Sequence, residues 1–158
     1  MFPQWLWKNL HNLEHVVVSY CEGIEEIISE NEEEEVDQEV SSQYLRSPSS
    51  LFASTDVILP KLRVVHLTEL PALKSISKGR MTCVSLEEIG LCGCPKLERL
   101  PFFHPLCDGE PLFIPHALRS IYVSRELWES LEWDYPQAKS MLQQNFIHDR
   151  LPQTCATS

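Results

Sequence analysis

One spacing of apolar residues recurs along this chain and limits what the chain can fold into. From its first member, apolar residues follow at intervals of three, three, two, three, three and three. Three stretches carry the full pattern, and a fourth begins it and then breaks off. These stretches run from Leu10 to Ile27, from Leu59 to Ile76, from Cys83 to Leu100 and, for the incomplete copy, from Leu118 to Val123. Seven positions that recur in register indicate a structural repeat.

The two-residue interval in each copy predicts a short strand, because side chains two residues apart lie on the same face. The inward pairs are Val16 and Val18, Val65 and Leu67, Ile89 and Leu91, and Ile121 and Val123. The three-residue intervals cannot continue a strand and predict a turn back across the convex side. One such coil cannot bury its own apolar face, so neighbouring coils must stack. The sequence therefore predicts an α/β leucine-rich-repeat solenoid of about four repeats, with short parallel strands on its concave face.

The first two copies are separated by an acidic segment. From Leu13 to Leu62 is 49 residues, whereas the same positions of the next two copies are 24 residues apart. The surplus falls in 29–54, a serine-rich stretch with seven acids between Glu30 and Glu39. Because it has too little apolar surface to offset chain entropy, we predict that this insertion is disordered.

The pattern changes to a helical one after the fourth copy. Leu127 and Leu131 would share one helical face, and Pro136 is a favourable first residue for a second helix. Apolar residues at helical spacing then follow at Ala138, Met141, Leu142 and Phe146. We expect a helical C-terminal cap that closes the stacked core. The proline-rich segment 102–115 is expected to be an irregular connection. The predicted organisation is a first repeat at 1–28, an acidic insertion at 29–54, further repeats at 55–125, a helical cap at 126–147 and a flexible tail at 148–158.

Charge and hydropathy exclude several classes of function. The formal net charge is −10, but without the seven acids of the insertion 16 acids face 13 bases. The sequence shows no basic stripe, which argues against a nucleic-acid partner. No apolar run approaches the length of a membrane span, and the first residues lack the pattern of a signal peptide. We therefore expect a cytoplasmic location, where the six cysteines stay reduced.

Metal and catalytic sites find little support in the sequence. Cys92, Cys94, His104 and Cys107 could form a zinc set, but the single-residue spacing of the first two is not that of a C-x-x-C knuckle. The acidic run lacks the alternating ligands and the turn glycine of a calcium loop. No spacing between cysteine and histidine fixes a nucleophile beside a base. We predict no catalytic, cofactor or metal site in this chain, and buried thiols at the repeat positions.

Several stretches resemble one protein family. The segments 59–76 and 85–101 look like the last repeats of plant intracellular disease-resistance proteins, the coiled-coil, nucleotide-binding, leucine-rich-repeat immune receptors. The phrase Cys-Pro-x-Leu-x-x-Leu-Pro at 94–101 departs from the commoner repeat, whose second apolar residue follows the cysteine by two residues rather than three. The segment 12–28, followed by acids, and Leu-Trp-Glu-Ser-Leu-Glu-Trp-Asp at 127–134 are similar to other parts of that family.

The resemblance implies a role in defence signalling. It implies recognition of a pathogen effector or of a guarded host protein, and contact with the nucleotide-binding domain of the same receptor to hold that receptor inactive. The family's ATP or ADP site lies upstream, and this chain has no G-x-x-x-x-G-K-[ST] loop and only five glycines. We therefore expect no cofactor in this chain.

The N-terminal end suggests that the chain is incomplete. The segment before Leu10 is too short and apolar for a polar cap. An uncapped solenoid would expose a coil-sized apolar face. One hypothesis is therefore that the chain is the C-terminal piece of a longer receptor or a truncated product. The alternative is a generic leucine-rich-repeat scaffold or adaptor whose partner is unrelated to immunity.

A protein-binding surface is the remaining candidate site. It comprises outward positions of the four strands: His15, Val17, Val64, His66, Thr68, Glu88, Ser120 and Tyr122. We expect Tyr122, His66 and His15 to lie in one column across the sheet, with Glu88 between them. A stripe of aromatic, imidazole and carboxylate groups suits protein recognition. The other interpretation is that these are solvated strand residues without a binding role.

Overall fold

The computed structural model describes residues 2–3, 6, 9–29, 56–145 and 147–148. The strands in these ranges are β1 Phe2–Pro3, β2 His15–Ser19, β3 Glu26–Ser29, β4 Val57–Ile58, β5 Val64–Thr68, β6 Ser75–Ser77, β7 Met81–Thr82, β8 Glu88–Cys92, β9 His104–Pro105, β10 Leu112–Phe113, β11 Ser120–Val123 and β12 Ile147–His148. The helices in the same ranges are α1 Arg125–Ser130 and α2 Pro136–Asn145. The predicted acidic insertion lies almost entirely outside the described residues.

The strands predicted from the two-residue intervals form one parallel sheet. Its spatial order is β12-β11-β8-β5-β2, so each predicted strand pairs with the strand of the next copy. Val16 of β2 pairs with Val65 of β5, and Val65 pairs with Ile89 of β8. Ile89 in turn pairs with Ile121 of β11. The copies are therefore stacked in the register that their shared spacing predicts.

A second parallel sheet lies across the core from the first. It consists of β1, β3 and β6, and β4 and β7 form a separate parallel pair. Val65 of the main sheet and Ile76 of β6 line one small interior gap of about 10 Å³, which shows that the two sheets enclose the same core. The segment predicted to be an irregular connection contains a short antiparallel pair, β9 and β10, and no helix.

The repeated apolar positions fill that core. In the second copy they are between 0% and 3% exposed from Leu59 to Ile76. The third copy is buried as far as Leu97, and Leu100 is half-buried. Burial of this apolar surface is the main stabilising contribution to the stack, at about 25 cal/mol per Å². The prediction that the repeated apolar side chains face the core is therefore confirmed for these two copies.

The first copy is buried less completely than the others. Its repeat positions are half-buried and pack against the core from one side: Leu10, Leu13, Val16, Val18, Cys21 and Ile24. Ile27, at the end of the copy, is 2% exposed. Within the described residues β2 is an edge strand, because only β5 pairs with it. Each coil in such a stack gains burial from its neighbours, so a coil covered on one side keeps part of its apolar surface exposed.

Polar contacts between copies occur at repeat-length separations. Arg63 contacts Glu87, 24 residues later, and the backbone N–H of Arg80 donates to Asp56, 24 residues earlier. Lys74 contacts Glu25 across 49 residues. These separations match the intervals between copies in the sequence. Equivalent positions of adjacent copies therefore lie side by side.

The turns after β2, β5 and β8 use an unusual backbone conformation. Tyr20, Glu69 and Gly93 follow β2, β5 and β8 with φ of 57°, 51° and 64°. This left-handed conformation suits glycine and costs free energy for residues with a Cβ. After β11 the chain differs, because Ser124 has φ −68° and its hydroxyl accepts a hydrogen bond from the N–H of Leu127. Ser124 is thus the N-cap of α1, and the fourth copy continues as helix.

The helices after β11 follow the sequence prediction in part. Leu127 and Leu131 are both buried, and α2 begins at Pro136. Ala138 and Leu142 are also buried, but Met141 is 47% exposed. Phe146 lies outside the described residues.

The predicted cap was expected to stay helical through residue 147, and this is wrong. Ile147 and His148 form β12, which pairs in parallel with β11 and extends the main sheet. The backbone of β11 would otherwise carry unpaired hydrogen-bonding groups along that side, and β12 satisfies them. No helix in the described ranges is long and apolar enough to cross a membrane.

Candidate recognition surface

The outward positions of the main sheet form the candidate surface. His15 and Val17 of β2 are exposed, and Val17 keeps 62% of its surface accessible. The outward residues of the inner strands are half-buried, namely Val64, His66, Glu88, Ser120 and Tyr122. Their inward neighbours Val65 and Leu67 are at most 2% exposed, so the predicted alternation of faces holds along β5. Seven of the eight candidate residues therefore retain surface that a partner can contact.

Thr68 does not face solvent as expected. It is 7% exposed, and the carbonyl of Thr68 accepts a hydrogen bond from the N–H of Tyr20 on the neighbouring copy. The residue ends β5 between Ser19 and Cys92 of the flanking strands, and the chain turns away directly after it. Strands on both sides therefore cover its short side chain.

The expected column of Tyr122, His66 and His15 is wrong. The strand register creates two rows, because residues directly opposite each other belong to the same row. One row contains His15, Val64, Glu88 and Ser120, and the other contains Val17, His66, Gly90 and Tyr122. His15 thus shares its row with Glu88, and His66 shares its row with Tyr122. The register itself is the one that the spacing predicts, and the column is wrong because His15 precedes the first inward residue of its strand, whereas His66 and Tyr122 lie between the two inward residues of theirs.

His66 and Glu88 form a close polar contact on this surface. The His66 Nε2 and Glu88 Oε1 atoms lie 2.6 Å apart, although the residues belong to different rows. Glu88 stands two residues before Gly90, the direct partner of His66, so the contact is diagonal. The two side chains are 23% and 31% exposed. The pair presents a hydrogen-bonded imidazole and carboxylate to solvent, with the buried Gly90 and the Tyr122 side chain next along the row.

An ion pair that the sequence analysis missed joins the residues immediately before β5 and β8. Arg63 donates from Nε and Nη2 to the two carboxylate oxygens of Glu87, at 3.1 and 3.2 Å. This hydrogen bonding lowers the pKa of Glu87 and raises that of Arg63. Opposite charges one repeat length apart were the signal that could have identified the pair.

Two of the thiols in the described ranges, Cys83 and Cys94, are buried in the core. Burial raises the pKa of Cys83 to about 12 and that of Cys94 to about 11. Cys94 Sγ donates weakly to the carbonyl of Leu67 on the preceding strand, 3.6 Å away. A protonated buried thiol is a poor nucleophile and metal ligand. Where the structure describes the chain, no three histidine, cysteine or acidic side chains are grouped to hold a metal ion.

Stacked parallel strands, a repeated apolar core and an outward polar face define a leucine-rich-repeat protein with an α/β fold. A family model described as plant disease resistance protein RPS2-like, leucine-rich repeats, matches residues 1–103. The chain belongs to this family of plant resistance-protein leucine-rich repeats.

Two proteins of Arabidopsis thaliana are similar to the chain over most of its length. "Probable disease resistance protein At4g27220" is 29% identical over 124 residues, which cover 78% of this chain and 11% of that protein. "Putative disease resistance protein At4g10780" is 28% identical over 124 residues, covering 77% of this chain and 12% of that protein. The chain therefore spans a small part of the length of these relatives. No solved structure matches it at a comparable level of significance.

Proposed function

We propose that this chain is the protein-recognition and autoinhibition segment of an intracellular plant immune receptor. In this role it is a cytoplasmic fragment that lacks the nucleotide-binding domain, and it has no enzymatic activity of its own. The observation that carries the proposal is the outward face of the main sheet, in which His66, Glu88 and Tyr122 stand over a rigid apolar core. Membership of the resistance-protein family supports the immune context.

The finer organisation belongs to the same proposal. The copies form a solenoid of about four repeats, with its first repeat at 1–28, its insertion at 29–54 and further repeats at 55–125. The segment 126–147 acts as the C-terminal cap, and 148–158 is a flexible tail. Burial of Leu127 and Leu131 in the common apolar core supports the cap. The half-buried first copy supports the view that a further coil of the receptor covers it.

The proposed partners are proteins that meet the outward face. In the resting receptor the partner is the receptor's own nucleotide-binding domain, and during infection it is a pathogen effector or a guarded host protein. The remaining candidate residues, His15, Val17, Val64 and Ser120, surround the His66–Glu88 pair in the two rows. Partly exposed side chains on a rigid sheet lose little conformational entropy when a partner binds, which favours affinity.

The test begins with the transcript upstream of Met1. A phosphate-loop motif there supports the receptor, whereas a stop codon directly behind a promoter contradicts it and favours the generic scaffold. The encoded nucleotide-binding domain is then titrated with this chain by calorimetry. His66→Ala combined with Tyr122→Ala should weaken binding at least tenfold, as expected for loss of about 1.4 kcal/mol at a central contact.

The control measures stability and a distant surface. The thermal midpoint of the double variant should stay close to that of the parent chain, since both side chains lie on the outward face. Met141→Ala, on an exposed part of α2, should leave affinity unchanged. If the double variant binds as tightly as the parent, the outward face is not the recognition surface.

A further inference from the structure

The edge of the main sheet changes shape between the third and fourth copies. After β5 and β8 the chain turns through Glu69 and Gly93 in the left-handed conformation, whereas after β11 it rises from Ser124 into α1. Between these turns and the helix lies an open groove of about 540 Å³. Pockets of this size hold small ligands or the side chains of a partner.

The groove combines an apolar lining with acidic groups. Pro71, Pro95 and Leu127 supply apolar surface along it. Within the described part of the chain, both charged residues that line the groove are carboxylates, Glu69 and Glu126, and both are exposed. Two negative charges therefore lie next to the low-dielectric walls of the groove, which focus their field.

The carboxylate of Glu69 lies directly over Gly93. A Cβ atom added to Gly93 would be 2.6 Å from Glu69 Oε1 and 2.9 Å from Oε2. Glu69 pays a conformational cost for its φ of 51°, whereas Gly93 adopts the same conformation in the next copy without that cost. Tyr20 has the same conformation in the first copy, so this turn recurs along the chain, and in the second copy it places the Glu69 carboxylate beside Gly93 in the lining of the groove.

We propose that this groove binds an arginine or lysine side chain of a protein partner. The inference rests on the proposed function, because it assigns part of the recognition to a second surface beside the outward face. The aliphatic stem of the basic side chain lies against Pro71, Pro95 and Leu127, and its cation meets Glu69 and Glu126. Long basic side chains bury their stems on apolar surface in this way and form strong hydrogen bonds to carboxylates.

The test uses the full 158-residue chain, labelled with ¹⁵N, and the peptide acetyl-Gly-Arg-Gly-Arg-Gly-amide. At low salt, chemical-shift changes should be largest for the backbone amides of Glu69, Gly93 and Glu126. Glu69→Gln combined with Glu126→Gln should raise the peptide Kd about fivefold, as expected for two exposed ion pairs. Acetyl-Gly-Gln-Gly-Gln-Gly-amide should not shift these amides.

A matched control separates the groove from general electrostatic attraction. Glu22→Gln combined with Glu110→Gln changes the net charge equally at two exposed positions outside the groove, and should leave the peptide Kd unchanged. Equal weakening in both double variants, or shift changes confined to the acidic run 30–39, would overturn the proposal.

The experiment can contradict the assignment of the groove and the assignment of the outward face independently. His66→Ala combined with Tyr122→Ala should leave peptide binding intact. If that variant weakens peptide binding, the peptide binds the outward face and the groove assignment is wrong. A different outcome is that the same double variant binds both the peptide and the nucleotide-binding domain as tightly as the parent chain does. That result would contradict the proposed function of the outward face and would leave the groove assignment intact.

Discussion

Replacing equivalent valines in adjacent copies tests whether each coil depends on its neighbours. Val65 lies in an inner strand and is 2% exposed, whereas its register partner Val16 lies in the edge strand and is half-buried. Valine to alanine removes two methyl groups, worth about 1.6 kcal/mol at about 0.8 kcal/mol each. A residual cavity raises the cost of Val65→Ala to about 2–3 kcal/mol. Val16→Ala should cost about 1 kcal/mol, because part of its side chain stays in water.

The assay is urea unfolding followed by circular dichroism. Stability differences are taken from midpoints at a common m-value, since an unchanged m-value shows that the same surface becomes exposed. The chemistry of the two changes is identical, so their difference reports how far each side chain is buried and the cavity that its removal leaves. Equal losses for the two variants, within about 0.5 kcal/mol, would refute the reasoning, because they would mean that the first coil is as fully enclosed as the second.

Three further predictions concern single sites. Gly93→Ala should destabilise the chain by about 1–2 kcal/mol in urea unfolding, because its φ is 64° and the new Cβ meets a carboxylate oxygen. At pH 8 iodoacetamide should modify the exposed Cys107 well before Cys83, whose pKa burial raises to about 12, as peptide mass spectrometry can follow. NMR titration should show a pKa for Glu87 below the usual value, and Arg63→Met should return it towards that value.

The controls for these predictions follow from the same structure. Gly23→Ala should be tolerated better than the change at Gly93, since no atom lies within 4 Å of its added Cβ. Because the folded pKa of Glu87 is lowered, its stabilising contribution is present above the unfolded pKa and is lost as pH falls through the folded pKa. An Arg63→Met chain should therefore lose less stability on acidification than the parent. A greater loss in that variant would contradict the assigned cause.

The repeated spacing made it possible to predict which strand side chains face the core. A buried position such as Leu67 is specified three times over, by its interval within one copy and by the equivalent residues Leu91 and Val18 in the neighbouring copies. The two-residue interval then fixes which face each strand residue occupies. Burial of an apolar face is a strong constraint on facing, so this part of the prediction was confirmed.

Features that arise from contact between copies were harder to predict. The two-residue strand β12 has no periodicity of its own, and it forms because β11 offers an unpaired edge. The contact between His66 and Glu88 is diagonal, so the register predicted from the spacing, which pairs His66 with Gly90, does not reveal it. Thr68 is buried by its neighbours rather than by its own hydropathy. The composition of the candidate site was therefore predictable from the sequence, but the contacts between its side chains were not.

Footprinting of the complex tests the central claim most directly. The chain is exposed to hydroxyl radicals alone and in complex with the nucleotide-binding domain of the proposed receptor, and oxidation is read by mass spectrometry. Our account predicts that His66 and Tyr122 become protected in the complex, while Met141, 47% exposed on α2, is oxidised equally in both samples. Unchanged oxidation of His66 and Tyr122 together with protection of Met141 would contradict it.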